Sequence, residues 1–265
     1  MAGVLTDLLG TLGLVVLATL SYRLKATDGM GSVTAFLMGF IIGLTAGWVW
    51  VSYLVVFLAA GTLATKFKYD FKSKLQAAQE KGGARGMLNV IANGGIPTLL
   101  AVIFTISPHL VLALMFVSSV SSALADTLGT EIGLLSKTVP KMLISGAETQ
   151  PGRSGGVTKL GILAELVGSS LFSVFGFVLG IIPLYVVALA AVGGFLGSNM
   201  DSLLGATVQG YFVCDVCGLS TERKVHCSKQ TRKVSGFSWL GNNEVNLIGA
   251  ASGPLISAGL YLLLL

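Results

Sequence analysis

Apolar residues run along this chain in long unbroken blocks, and polar residues gather between them. The blocks lie near 3–22, 32–47, 48–66, 86–105, 108–125, 157–179, 181–200 and 245–264. A helix needs roughly 20 apolar residues to cross a bilayer, with about 17 still workable. The runs are continuous rather than alternating, which predicts helices and not the strands of a barrel. Backbone groups in hydrocarbon must pair within their own segment. The pattern therefore predicts an all-α fold, a polytopic membrane helical bundle of about eight transmembrane helices. The second and third blocks are short and meet in a tight turn near Gly43–Trp48, so a re-entrant pair is the alternative there. Residues Met1–Asp7 carry no positive charge, and the first block ends at Tyr22-Arg23 without a small-residue cleavage site, so it reads as a span. The chain 1–265 reads as a single integral-membrane domain, with 208–244 as a loop holding a Cys/His knuckle.

Composition supports this class. Hydrophobic residues make up 53% and charged residues 11%, against roughly 25% charged in soluble domains. Mean hydropathy is +0.83. The 17 Lys and Arg fall in only four places: Arg23–Lys25, Lys66–Arg85, Lys137–Lys159 and Arg223–Lys233. Cytoplasmic loops hold the excess of positive charge. With the N-terminus outside, the first, third, fifth and seventh helices each deliver a cluster to the cytoplasm. The opposite connections, near Thr45, Ser107–His109 and Pro183, contain no Lys or Arg. Eight spans with N- and C-termini outside fit every cluster, and an odd number would leave at least one outside. Trp48, Trp50 and Tyr261 fall at the outer boundary, with Tyr22 and Trp239 at the inner one, as an aromatic belt would.

Ionisable residues inside a membrane are costly and each is a functional hypothesis. Asp126 closes the fifth span and Asp201 the seventh. Both follow small residues and precede a hydroxyl, Leu and Gly, which makes a weak parallel repeat. A repeat of that kind sets two carboxylates at one depth, where oxygen ligands suit Mg²⁺. The plain alternative is that each Asp only ends a helix. Arg85, Asn89 and Asn93 form one helical stripe, fit either to bind a sugar, base or phosphate or to hold helices together. Gly94, Gly95 and Pro97 would loosen the helix after it. Glu165 lies two turns into the sixth span and suits a base or an ion pair with Lys159. Asn242, Asn243, Glu244 and Asn246 open the last span, as a cap or as ligand contacts. The Gly-rich segment Gln150–Gly156 with Arg153 precedes a helix and suits phosphate, without being a Walker A motif. Lys68, Lys72 and Lys74 read as a surface helix on anionic lipid. Cys214, Cys217, His226 and Cys227 resemble a zinc-ribbon knuckle, although adjacent His and Cys ligands are awkward.

These segments together resemble one family. Asn89–Gly95, Ala125–Gly133, Pro151-Gly152 with Gly155–Thr158, Asp201–Thr207, the Cys/His loop, and Trp239 with Asn242–Asn246 cover nearly the whole chain in order. They resemble the integral-membrane family of phytyl-phosphate kinase and transmembrane protein 19, with Glu244 where the family's usual acid would be Asp. The resemblance implies a Mg²⁺-dependent kinase that moves a phosphoryl group from CTP to an isoprenoid monophosphate at the cytoplasmic face of the cell membrane. On that reading Asp126 and Asp201 hold Mg²⁺ with Glu131 in support. Asn89, Asn93, Asn242, Asn243, Glu244 and Asn246 orient nucleotide or phosphate, while Arg85, Lys141 and Arg153 neutralise charge. A phosphate acceptor is already ionised, so Glu165 is not needed as a base. The partners expected are CTP, isoprenoid monophosphate and membrane lipid, with a homo-oligomer open and no nucleic acid. A CTP-dependent cytidylyltransferase and a lipid or anion transporter are the competing readings.

Overall fold

The computed structural model describes residues 2–264. Its helices are α1 (Ala2–Arg23), α2 (Gly29–Thr45), α3 (Trp48–Lys66), α4 (Tyr69–Lys74), α5 (Met87–Ile106), α6 (Leu110–Gly133), α7 (Lys159–Val178), α8 (Val187–Thr207) and α9 (Asn242–Leu264). Among the described residues, seven helices are long and apolar enough to cross a membrane, and α2 is a shorter apolar helix of 17 residues. The expected blocks thus appear as helices of a bundle. The termini themselves, Met1 and Leu265, lie outside the described residues. Two boundaries differ from expectation in an informative way. The hydropathy pattern ends the fifth and seventh blocks near 125 and 200, but α6 continues to Gly133 and α8 to Thr207. Asp126 and Asp201 are therefore inside helices, one to two turns from their ends, and do not terminate them. In α6 a packed face carries the helix onward, where Gly129 and Glu131 are buried; in α8 residues 201–206 are half-buried.

Asp28 caps α2 by accepting from Gly31 N (2.9 Å), and Thr158 caps α7 by accepting from Gly161 N (3.0 Å), satisfying donors that a helix start leaves free. At the other end of α2, Trp48 Nε1 donates to Asp7 Oδ1 (3.1 Å). The α2–α3 turn thus lies beside the start of α1, and the pair covers the same depth as α1 rather than turning back midway. The basic loops meet at the opposite end. Lys66 Nζ donates to the Leu24 carbonyl, Arg85 N to Ala26 O (3.0 Å), and Lys81 pairs with Asp28 (2.7 Å). Gly152 packs on Ala77, and Ser154 N donates to Glu222 (2.9 Å). Contacts therefore link all four basic segments at one end of the bundle.

The other half of the bundle is an aromatic core. Trp50 is 6% exposed and packs on Phe104 and Phe116, with ring centroids 4.8 and 4.4 Å apart. It is a core residue, not the boundary aromatic expected, because α3 turns it toward α5 and α6. Tyr53 packs on Phe172 (4.3 Å) and donates to its carbonyl (2.8 Å).

Small residues set the spacing of α6, α8 and α9. A Cβ on Gly193 would fall within 3 Å of Ser118 Oγ and the Gly253 carbonyl, and one on Gly197 would meet Ser122 Oγ and Gly253. Close backbone approach through small residues is how helices associate in lipid. Proline adds a second tie. Pro254 has no N–H for the Ala250 carbonyl, and Ser119 Oγ donates to that oxygen instead (2.7 Å). Pro97 likewise removes the donor for the Asn93 carbonyl, yet α5 runs through it unbroken. The expected loosening does not end the helix, because neighbouring helices can support the freed groups.

Candidate carboxylate cleft and its flanking loops

The packing dictates where the acids go. Ser118 faces Gly193, and Ser122 faces Gly197, so α6 and α8 run parallel in a fixed register. One more helical repeat of four residues brings Asp126 level with Asp201. Helix α9 runs the other way: Gly253 meets Gly193, and Gly249 meets Gly197 and Asp201. That register delivers Asn246; with its amide turned so that the nitrogen faces these acceptors, it donates to Asp201 Oδ2 and to the Asn242 carbonyl, both at 2.9 Å. From α5 comes Asn93, which donates to the Asn89 carbonyl (2.9 Å). Asn93, Ser122, Asp126, Ser198, Asp201 and Asn246 line one small cleft between the four helices. Among the described residues, no basic side chain pairs with Asp126 or Asp201. Glu165 is 5% exposed, packs against Gly129, and accepts from Asn199 Nδ2 (3.3 Å). The cleft thus concentrates negative charge and oxygen donors without a built-in cation.

Glu131 is different. Lys72 Nζ donates to Glu131 Oε2 (2.6 Å) and to the Ala64 carbonyl (2.7 Å), and the two side chains are 1% and 3% exposed. Lys72 is therefore not a lipid-facing charge, as its basic segment suggested. It turns inward because Lys68, with φ +51, bends the chain after α3 and lays α4 back on the bundle. Glu131 is neutralised by it and does not line the cleft. Arg85 also turns away from the cleft lining. Its guanidinium packs on Gly61, lies 5.8 Å from the Phe57 ring centroid and donates to Thr62 Oγ1 (3.3 Å). Burial pulls its pKa down, while the Glu131 charge opposes that shift.

A second cleft lies at the end of α8, lined by Arg153, Ser154, Thr207, Gln209, Tyr211 and Glu222 among others. The strand pair β1 (Lys141–Met142) and β2 (Gly156–Val157) holds the Gly-rich segment between them. Gly155, at φ +77, presses against the backbone of Ala206, where a side chain would not fit. Arg153 stands 4.3 Å from the Tyr211 ring centroid, a cation–π distance. Lys141 is exposed on β1. Asn242 is exposed and Asn243 half-buried, whereas Glu244 accepts from Gly241 N (2.9 Å) and acts as a helix cap. Glu222 had no signal in the sequence beyond its charge. Its carboxylate accepts from Ser154 N (2.9 Å) and Gln209 Nε2 (2.8 Å), joining the Gly-rich segment to the Cys-bearing loop. Asn199 also escaped notice, although it stands only two residues before Asp201.

The structure brings the four knuckle residues together, with one ligand atom from each within 4.8 Å of the others. The Cys217 N–H helps hold the Cys214 thiol down to about 6, while the Cys217 side chain helps push the Cys227 thiol up to about 11.

The family described as integral membrane protein DUF92 matches residues 12–253. Protein PGR of Arabidopsis thaliana is 30% identical over 258 residues, spanning 88% of this chain and 88% of that protein. A membrane protein of Methanocaldococcus jannaschii, described as uncharacterized, is 28% identical over 246 residues, spanning 93% and 90%. Protein VTE6, chloroplastic, also of Arabidopsis thaliana, is 24% identical over 86% of this chain and 63% of its own length. No solved structure matches.

Proposed function

The chain belongs to the DUF92 family of integral membrane proteins, the family of phytyl-phosphate kinase and transmembrane protein 19, and from that premise we propose that it is a membrane phosphotransferase, moving the γ-phosphoryl group of CTP to an isoprenoid monophosphate at the cytoplasmic face. The observation that carries this reading is the pair Asp126 and Asp201, set level by the α6–α8 register and left without a basic partner at the basic end of the bundle. In the reaction, a phosphate oxygen of the lipid forms a bond to the γ-phosphorus. The bond from γ-phosphorus to the β–γ bridging oxygen breaks, and CDP leaves as the lipid diphosphate forms.

The donor set fits a hard cation: two carboxylates flanked by the amides of Asn93 and Asn246. Asp126 and Asp201 would hold Mg²⁺, which offsets phosphate charge when bound. Asn246 keeps Asp201 oriented through its 2.9 Å hydrogen bond. Arg153, held over Tyr211, supplies positive charge beside the cleft. The Gly-rich backbone of 152–156 offers N–H groups that a polyphosphate can approach. Phosphoryl transfer depends mainly on positioning and charge stabilisation. The acceptor phosphate is largely a dianion near neutral pH, with a second pKa of about 6, so Glu165 serves the electrostatics of the cleft rather than as a base. The isoprenoid tail has apolar helix surface on which to lie outside the cleft.

Purified protein in lipid nanodiscs, given phytyl monophosphate and CTP labelled on either the γ- or the α-phosphate, tests this directly. Label from the γ position is expected in the lipid diphosphate. Label from the α position in lipid would make the protein a cytidylyltransferase. Passage of the lipid phosphate across vesicles without nucleotide would make it a transporter.

A further inference from the structure

We infer that Cys214, Cys217, His226 and Cys227 bind one zinc ion, and that this metal holds the loop carrying Glu222 and Tyr211 against the Gly-rich segment. The loop is built of short strands: β3 (Tyr211–Val213), β4 (Ser220–Thr221), β5 (Val225–His226), β6 (Lys229–Gln230) and β7 (Arg232–Ser235). Its residues are mostly exposed, and within it only Phe212 and Cys214 are buried. So little apolar burial does not hold such a fold, and small modules of this kind take a structural metal in place of a core.

Both ligand pairs sit on turns shaped for metal. In the first, Gly218 at φ +73 donates its N–H to Cys214 O (2.8 Å), and Cys214 N donates to Leu219 O (2.9 Å). This turn brings Cys217 back beside Cys214. In the second, Cys227 and Ser228 form the two-residue turn between β5 and β6, at φ +49 and +58. A two-residue hairpin turn with both residues left-handed favours Asn and Gly; here neither is present. The left-handed Cys227 swings its sulfur back toward the preceding residue. Cys227 Sγ is 3.3 Å and Cys217 Sγ 3.5 Å from the same nitrogen, His226 Nδ1. The awkwardness of neighbouring His and Cys ligands, which left a fourth ligand from elsewhere open, is relieved by that turn. Tetrahedral Zn²⁺ with Zn–S near 2.3 Å and Zn–N near 2.0 Å sets its ligand atoms roughly 3.5–3.8 Å apart. The two sulfur–nitrogen separations are close to that edge, all four ligand atoms lie within 4.8 Å of one another, and three sulfurs with one imidazole select zinc over the hard cation of the carboxylate cleft. Four protein ligands close the site, which makes it structural rather than catalytic.

The consequence reaches beyond the loop. Glu222 lies between β4 and β5 and accepts from Ser154 N, while Tyr211 opens β3 and supports Arg153. A metal that fixes these strands also fixes one wall of the second cleft.

The test uses the full chain purified in detergent without chelators, with zinc as the probe. Metal analysis is expected to give about one zinc per chain, falling below about a tenth in Cys217→Ser and Cys227→Ser. Stripping the wild-type protein with a chelator under reducing conditions is expected to raise hydrogen exchange across 211–235 at least about tenfold, with far-ultraviolet dichroism of the helices unchanged, and zinc should reverse the change. Wild-type protein that carries no stoichiometric zinc overturns the proposal without reference to any variant. So does a Cys217–Cys227 disulfide found by mass spectrometry in freshly prepared protein, or exchange in 211–235 that ignores the chelator.

Discussion

The carboxylate cleft and the Cys-bearing loop both gather ligand-type side chains, and they are built in opposite ways. The cleft stands on helices of 20 to 24 residues whose register is set by glycines and serines elsewhere along their length. The loop stands on strands of two to four residues that bury almost nothing. On the proposed reading, packing places the cleft's carboxylates before any ion binds, whereas the loop's ligands and the proposed zinc place one another. Removing a ligand should therefore affect chemistry in the cleft and structure in the loop.

The strongest way to break the cleft's side of this contrast lies outside its lining. Glu131 is five residues from Asp126 on the same helix, yet it is paired with Lys72. Replacing Lys72 with Met leaves a buried carboxylate unpaired. Breaking one half of a buried pair costs about 3–5 kcal/mol, so denaturation in detergent should show a loss of that order. Adding Glu131→Gln should recover most of it. A loss below about 1 kcal/mol would place the pair in the class of solvated surface bridges and detach α4 from the scaffold.

Next comes Asp201→Asn. Supporting groups around a metal typically cost 10–100-fold when removed, and a direct ligand should cost at least about 100-fold in γ-phosphoryl transfer. The melting midpoint should hold or rise, since the change removes charge from a site without a basic partner. Full turnover in this variant would end the assignment of Asp201 as a metal ligand. A smaller effect is expected from Gly197→Leu, because overpacking costs about 1–3 kcal/mol. The wedge falls where Ser122 and Gly253 approach, so stability should drop first. Activity should then fall through lost register, which a raised Mg²⁺ requirement would report.

How far the sequence reveals this arrangement depends on the range of the interaction. The spans were legible because lipid imposes length and hydropathy locally, and the Asp126 and Asp201 pairing because a repeat within one chain carries its own register. Lys72 was not legible. Its partner is 59 residues away, and a basic stretch with an aromatic at each turn looks the same whether it lies on lipid or folds inward. The ends of α6 and α8 were not legible because hydropathy falls where the half-buried polar residues from Asp126 and Asp201 onward begin, and a polar stretch reads as loop. The adjacent His226 and Cys227 seemed incompatible because spacing along a chain does not show a left-handed turn.

The smallest effect tests the link between the two regions. Glu222 belongs to the Cys-bearing loop but accepts from Ser154 N in the Gly-rich segment and from Gln209 Nε2 beyond the end of α8. In Glu222→Gln one amide oxygen remains to accept, and the other position becomes a donor facing the Gln209 amide nitrogen. One hydrogen bond of ordinary strength is lost, about 1 kcal/mol, or roughly a fivefold change in an equilibrium constant. The bond from Ser154 N survives but loses its charged acceptor, which weakens it by a similar amount, so hydrogen exchange at Ser154 should rise by about that factor, and the apparent KM for CTP should rise with it while kcat stays close to wild type. Zinc content should not change, since no ligand is touched. If Ser154 exchanges faster with KM unmoved, the two regions are neighbours without being coupled, and the second cleft is not where nucleotide phosphates sit.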